Sequence, residues 1–305
     1  MKRIFLNTDH RLRWPWQCAV LFALFFVLGA LAEVAVPHLF IAAWPHNLDA
    51  AYLLSDILIN VLLSVALVFG FRWVTGRRAA DMGLQPLHGE RTWQLALGLG
   101  IGAGAISLMA VLLHLTGDIS LRPGGQAGYL LLHVLYFVSV SVVEEVLTRG
   151  ALQHVIAGAG HPWLALVIPS VFFGLLHLGN ESVTVLAVVN TTLAGLLLAL
   201  YVHRDGNLWR AMGFHFTWNY FLSIVYGMTV SGADFSQGQF FNTVLRRQSL
   251  FNGGAYGVEG GWLATAVLLA LIVWEGFFLL RAGTANTRRG PLPAPEELNQ
   301  DHQGG

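Results

Sequence analysis

The sequence predicts an all-α fold, a polytopic transmembrane helical bundle of about eight spans, and three observations carry that prediction. The 305 residues are 55% hydrophobic and only 11% charged, with a mean hydropathy of +0.60, whereas soluble domains carry about 25% charged residues. Several uninterrupted apolar runs reach the roughly 20 residues that cross a hydrocarbon core of about 30 Å. Lys and Arg cluster in alternate connections, as the positive-inside rule requires of a multi-pass chain. Membrane lipids are therefore the first partner implied. A formal net charge of zero and a pI near 7.2 give no support for nucleic acid as another. The single cysteine, Cys18, excludes an intrachain disulfide and a multi-cysteine zinc site. It sits at the mouth of the first apolar run and reads as packing.

Residues 1–16 are polar and basic, with Lys2, Arg3, Arg11 and Arg13, and a first span at about 17–36 ends before Pro37. That run is longer than a signal-peptide core of 7–15 residues and reads as an uncleaved anchor. A second span covers about 52–73, and a basic link with Arg72, Arg77, Arg78 and Arg91 leads to a third at about 93–115. Glycines at 98, 100, 102 and 104 form two overlapping small-xxx-small pairs suited to close helix approach. A phosphate-binding loop would need a preceding strand, and none is predicted. The fourth span, about 128–156, is followed by a turn at Gly158, Gly160 and Pro162, a fifth at about 163–178 and a sixth at about 183–202. A seventh span is expected at about 208–228 and an eighth at about 261–280, separated by a Gly-, Asn- and Gln-rich stretch, 230–258, too polar to span.

The organisation expected is thus 1–125, three spans with a basic link; 126–230, a core of spans 4–7; 231–258, an extracytoplasmic loop; 259–281, the last span; and 282–305, a Pro- and Gln-rich disordered tail. With both termini on one side, Arg72, Arg77, Arg78, Arg91, Arg204, Arg210, Arg281, Arg288 and Arg289 join the N-terminal cations, and only Arg122, Arg246 and Arg247 lie opposite. Both termini are expected in the cytoplasm, in a bacterial inner membrane.

Inside the fourth span stands Glu144-Glu145-x-x-x-Arg149. Ionised groups at bilayer depth cost roughly 2.5–3.5 kcal/mol each even on the lenient scale. Glu145 and Arg149 are four apart with the acid N-terminal, the favourable order on a helix, and Glu144 is turned about 100° away without a local counter-charge. The plain reading is an ion-pair lock between helices. Two further spans alter it. His177 closes Phe173-x-x-x-His177, and His215-x-x-x-Asn219 places an imidazole and an amide on one face. Each histidine alone reads as an interhelical hydrogen bond. Together the three spans supply a carboxylate, two imidazoles and an amide, the inventory of a hydrolytic site: a base for water, an imidazole to orient it and donors for an oxyanion. The same groups, Glu144, His177 and His215, are candidate ligands for a divalent metal such as zinc, although the spacing is not that of a His-Glu-x-x-His helix. Metal and metal-free chemistry both stay open on the residues alone. Elsewhere, His88 reads as a loop residue, His114 and His133 as residues near span ends, Asp56 and Asn60 as members of a small interhelical polar cluster, and Asn190 as within reach of the site.

These three motifs, in this order and at these separations, resemble the signature of the CAAX prenyl protease and bacteriocin-processing (CPBP, Abi) family of intramembrane endopeptidases. The resemblance covers about residues 128–228 and says nothing of the first three spans; Phe251-Asn-Gly-Gly-Ala-Tyr-Gly-Val-Glu259 is similar, more loosely, to a glycine-rich segment of some members. It implies that Glu144 is the catalytic carboxylate activating water with His177, and that His215 and Asn219 stabilise the oxyanion. Glu145 and Arg149 match the remaining motif positions and take a supporting role. It also implies a peptide or membrane-protein substrate, prenylated in eukaryotic members and different in many bacterial ones. A proton-coupled transporter using the same residues as a relay, or a silent membrane scaffold, are the readings from other classes; no internal repeat of the transporter kind is present. The spacing also sets a geometric demand. Glu144 and His177 lie about 20 Å along their helices from the Gly158–Pro162 turn and His215 only about 10 Å into its span, so a common depth requires an earlier start or a tilt there.

Overall fold

The computed structural model describes residues 5–6, 11–124, 129–235 and 238–287. Gly128, where the fourth span is expected to begin, and 288–305 of the expected tail lie outside the described residues. The architecture is an α-helical bundle: α1 Trp14–Ala43, α2 Leu48–Thr75, α3 Glu90–Leu115, α4 Leu130–Glu145, α5 Pro162–Leu176, α6 Val185–Asp205, α7 Trp209–Tyr220 and α8 Trp262–Thr287. All but α7 belong to helical segments long and apolar enough to cross a membrane, seven among the described residues. The chain is a multi-pass integral membrane protein.

Sequence punctuation explains most boundaries. Asn47 caps α2, accepting the Ala50 N–H, and α2 ends on Gly76 at φ 71°. Thr184 caps α6 in the same way, and Gly206 ends it. Two boundaries differ from expectation. Pro37 does not end the first span, because α1 continues through it to Ala43; with no water to satisfy released backbone groups, a membrane helix keeps its remaining bonds around a proline. The last span also runs past 281, as α8 reaches Thr287.

The seventh expected span is the larger departure. α7 has 12 residues and passes into a five-residue π-helical segment, Phe221–Val225. That is roughly 25 Å of helix, less than a hydrocarbon core of about 30 Å, yet the chain still changes sides here, because Phe241–Leu245 beyond it pairs with Ile119–Pro123. It starts inside the protein: Leu208 is fully buried, and its N–H donates to the Gly83 carbonyl at 3.1 Å. Arg210, close to the start of α7, tolerates that depth because Asp205 and Glu275 both accept from its guanidinium, at 2.7 and 2.9 Å, while it stacks over Tyr201. A charge cluster joining α6, α7 and α8 thus lowers the start of α7, and His215 reaches the depth of Glu144 without a longer helix.

α7 is held in the core chiefly by α3. Gly98 and Gly102 face it, and a Cβ on either would drive into the Arg210 or Phe214 carbonyl oxygen, whereas Gly100 and Gly104 face open space. Thr217 Oγ1 then donates across the contact to the Leu99 carbonyl at 2.9 Å. The expected small-residue contact exists, through one of the two pairs.

The polar stretch after α7 is more ordered than a loop. β2, Phe241–Leu245, pairs antiparallel with β1, Ile119–Pro123, in register Ile119↔Leu245 to Pro123↔Phe241. Buried Asp118 ties this pair to the segment C-terminal to β2, accepting from Arg247 Nε at 2.7 Å and Asn252 Nδ2 at 3.1 Å. The Arg247 hydrogen bond, with that of Thr116, holds the Asp118 carboxyl below the usual carboxylate range.

Two substitutions test the α3–α7 contact. Gly102→Ala is expected to lower the melting temperature and the monodisperse yield in detergent, overpacking costing about 1–3 kcal/mol. Gly100→Ala, on the open face of the same helix, is expected to be neutral or mildly stabilising.

Candidate active site

The three motifs converge. Glu144, His177, His215 and Asn219 line one cavity of about 850 Å³. Glu145 and Arg149 are fully buried behind it.

α4 changes form at the motif. From Val146 to Gln153 the helix is π-helical, before a last α-helical stretch, His154–Gly158. Thr148 Oγ1 donates to the Glu144 carbonyl at 2.5 Å, occupying the acceptor that an α-helical Thr148 N–H would use. π segments inside α-helices are frequent at functional sites. The widened turn still brings Arg149 Nη1 to Glu145 Oε1 at 2.9 Å, the expected pair. Arg149 is further committed to Thr148 Oγ1 at 2.7 Å and, through Nη2, to the Gly195 carbonyl of α6 at 2.9 Å, with its guanidinium over the Phe173 ring of α5. One cation therefore joins α4, α5 and α6.

Spacing alone does not reveal the contact made by His215. Its Nδ1 lies 2.9 Å from Glu145 Oε1, the oxygen that also receives Arg149. A carboxylate held by arginine only accepts, so Nδ1 carries a proton and Nε2 is the nitrogen turned to the cavity. There it faces Glu144 Oε2 at 3.6 Å. Glu145 is thus the orienting partner of His215 as well as the counter-ion of Arg149. Glu144 remains one-third exposed to the cavity.

His177 is set by its own helix end. It terminates α5, and its Nδ1 lies 2.8 Å from the Phe173 carbonyl oxygen. A carbonyl cannot donate, so this nitrogen is the protonated one and Nε2 presents its lone pair to the cavity. The Phe173-x-x-x-His177 motif therefore acts as a tautomer lock, with the Phe173 ring against Arg149, His177 and His215. Asn219, one turn beyond His215, is buried, and among the described residues no side chain engages its amide. Glu144, His177 Nε2, His215 Nε2 and the Asn219 amide thus share the cavity.

The polar residues around these groups have other partners. Asn190 lines the cavity, but its amide is spent on the Glu259 and Gly261 carbonyls at 2.7 and 2.9 Å. Asn60 reaches Ser139 of α4 at 3.1 Å, an interhelical polar contact of the expected kind. His133, in the first turn of α4 and so near a span end as expected, is buried, its Nδ1 bonded to the Tyr129 carbonyl. Glu259, Ser231 and Asn180 also line the cavity. Their only signal in the sequence is an acid within a glycine run, because loops 50 residues apart meet only in the folded chain. Among the described residues no group of three His, Cys, Asp or Glu side chains is disposed to hold a metal ion. The candidates Glu144, His177 and His215 are thus not disposed as a three-ligand set, and no catalytic step is routed through a metal.

Residues 126–221 match the family model described as type II CAAX prenyl endopeptidase Rce1-like. That segment contains Glu144, Glu145, Arg149, His177, His215 and Asn219, and it ends before Ser231 and Glu259. No curated protein and no solved structure matches the chain.

The two adjacent acids are expected to fail in different ways. Glu144→Gln leaves Arg149 and His215 bonded to Glu145 and should keep the wild-type melting temperature. Glu145→Gln and Arg149→Gln each strand a buried charge, a loss of about 3–5 kcal/mol, and should lower melting temperature and solubilised yield together. Thermal melts of the three variants in one detergent check this.

Proposed function

We propose that this chain, matched over residues 126–221 to the type II CAAX prenyl endopeptidase family, is an intramembrane endopeptidase that hydrolyses peptide bonds with a water activated by Glu144 and His177. The observation that supports this reading is the sharing of one cavity by Glu144, His177, His215 and Asn219. Water placed between the Glu144 carboxylate and His177 Nε2 donates a hydrogen bond to each, which aims an oxygen lone pair at a carbonyl carbon. As the C–O bond forms, Glu144 takes the proton. The oxyanion is received by the Asn219 amide and by Nε2–H of His215, which must carry both protons for this step because Nδ1 is committed to Glu145. Glu144 then returns its proton to the leaving amine as the C–N bond breaks, and the carboxylate is regenerated.

The substrate is a peptide or a membrane-protein segment. Aromatic side chains of α1 and α4, Phe25, Phe26, Tyr136 and Phe137, line the cavity, which suits apolar side chains next to the scissile bond. The chain resides in a bacterial inner membrane with both termini in the cytoplasm, the arrangement that leaves only Arg122, Arg246 and Arg247 outside.

Cleavage of a fluorogenic peptide library, prenylated and unprenylated, by purified protein tests the reading. Glu144→Gln is expected to abolish turnover while remaining folded. Asn219→Ala should lower kcat by roughly 10²–10³-fold with KM nearly unchanged, since an oxyanion donor acts mainly in the transition state. Full turnover in both variants overturns the hydrolase reading, and a loss confined to KM makes Asn219 a substrate-binding residue. Reporter fusions in the 230–258 stretch and after Arg281 should in turn report opposite sides of the membrane; the same side for both would overturn the orientation.

A further inference from the structure

A hydrogen-bonded belt crosses the cavity outside the segment matched to the family. It starts at Asn180, three residues beyond His177, whose Nδ2 donates to the Ser231 carbonyl at 2.9 Å. Ser231 is a non-glycine residue at φ 49°, a left-handed conformation that persists only where its surroundings impose it. Its backbone N–H and its hydroxyl both donate to Glu259 Oε2. The other oxygen, Oε1, accepts the indole N–H of Trp218 at 2.8 Å, and Trp218 precedes Asn219 on α7. The Glu259 backbone is itself anchored, because its carbonyl accepts from Asn190, and Asn190 Oδ1 accepts from Thr265 of α8. The belt therefore runs from the loop carrying His177 to the helix carrying His215 and Asn219, with Glu259 as its central acceptor.

We infer that Glu259 is a positioning residue of the hydrolytic site, setting the separation between His177 and the His215–Asn219 face through Ser231 and Trp218. The inference rests on the hydrolase reading above. Every group bonded to the Glu259 carboxylate is a donor, so a carboxylate is required there. Glutamine offers one acceptor oxygen and one NH2 group, and in either orientation an N–H would oppose an N–H. Glu259 acts through its neighbours and not on the reacting atoms. Its effect is to hold Glu144, His177, His215 and Asn219 in a geometry where a displacement of about 1 Å is costly to rate.

The test compares Glu259→Gln, Trp218→Phe, their double variant and Glu144→Gln as full-chain protein on the same peptide substrate, with melting temperature measured beside kcat and KM. Glu259→Gln is expected to lose roughly 10- to 100-fold in kcat with KM within about two-fold and melting temperature near wild type. Trp218→Phe, which removes the indole N–H and keeps an aromatic ring, should lose less in the same sense, and the double variant should be no worse than Glu259→Gln alone. Full kcat in Glu259→Gln while Glu144→Gln is dead overturns the inference and leaves the hydrolase reading intact. So does a fall in melting temperature with unchanged kcat per folded molecule, or full additivity in the double variant. Full turnover in Glu144→Gln, or none in wild type, overturns the hydrolase reading and the inference with it.

Discussion

One buried oxygen organises this protein. Glu145 Oε1 receives both Arg149 and His215, each at 2.9 Å, and carboxylate and guanidinium are wholly shielded from solvent. In the low dielectric of a membrane interior neither charge is tolerable alone, and each reaches a different helix. Arg149 fastens α4 to α6 and covers Phe173 of α5, while His215 belongs to α7. The ion pair expected on helical spacing is therefore also the hub on which four helices agree in depth and rotation. Its cost is visible in the same place, since Glu145 Oε2 and Arg149 Nε are buried without a protein partner among the described residues. Such atoms are expensive to leave unpaired, which fits a cluster kept for what it positions.

The remaining architecture places α7 at that hub. Glycines on α3 permit backbone contact, the Arg210–Asp205–Glu275 cluster lets a polar helix start below the surface, and the π segment after Tyr220 ends it early. These are three different physical means to one result, a short polar helix surrounded by long apolar ones. α4 accommodates its own charges by widening at Val146. Both helices that supply the acid–imidazole contact thus carry π segments, while α5, which ends on His177, passes into a short 3-10 turn instead.

The cavity is assembled from chain regions of unlike character. Spans matched to the family contribute every side chain assigned to chemistry, and the later segment, a polar loop by composition, contributes Ser231 and Glu259 to the wall. Gly257, at φ 95° and against Thr229, has room for no side chain, which accounts for the glycine run that brings Glu259 inward. Together with the β1–β2 pair tied through Asp118, this makes the extracytoplasmic side, on the proposed orientation, an ordered part of the site.

By itself the sequence determined whatever depends on local chemistry or on one helix at a time. Apolar runs specified the spans, because a bilayer leaves the backbone no other partner than itself. Four-residue spacing specified the Glu145–Arg149 pair, the shared face of His215 and Asn219, and the proximity of His177 to Phe173, since each is set by helix geometry. The small-residue stripe marked α3 as a contact helix without naming its partner. Tertiary structure alone decided which nitrogen of His215 Glu145 holds, that α7 is shorter than the other spans, and that Glu259 lies beside Trp218. Those facts depend on helix depth and rotation, which are balances of packing and buried charge across segments about 40 to 70 residues apart. A linear pattern carries no record of that balance, because each participant is locally an ordinary acid, arginine or tryptophan until the fold brings them together.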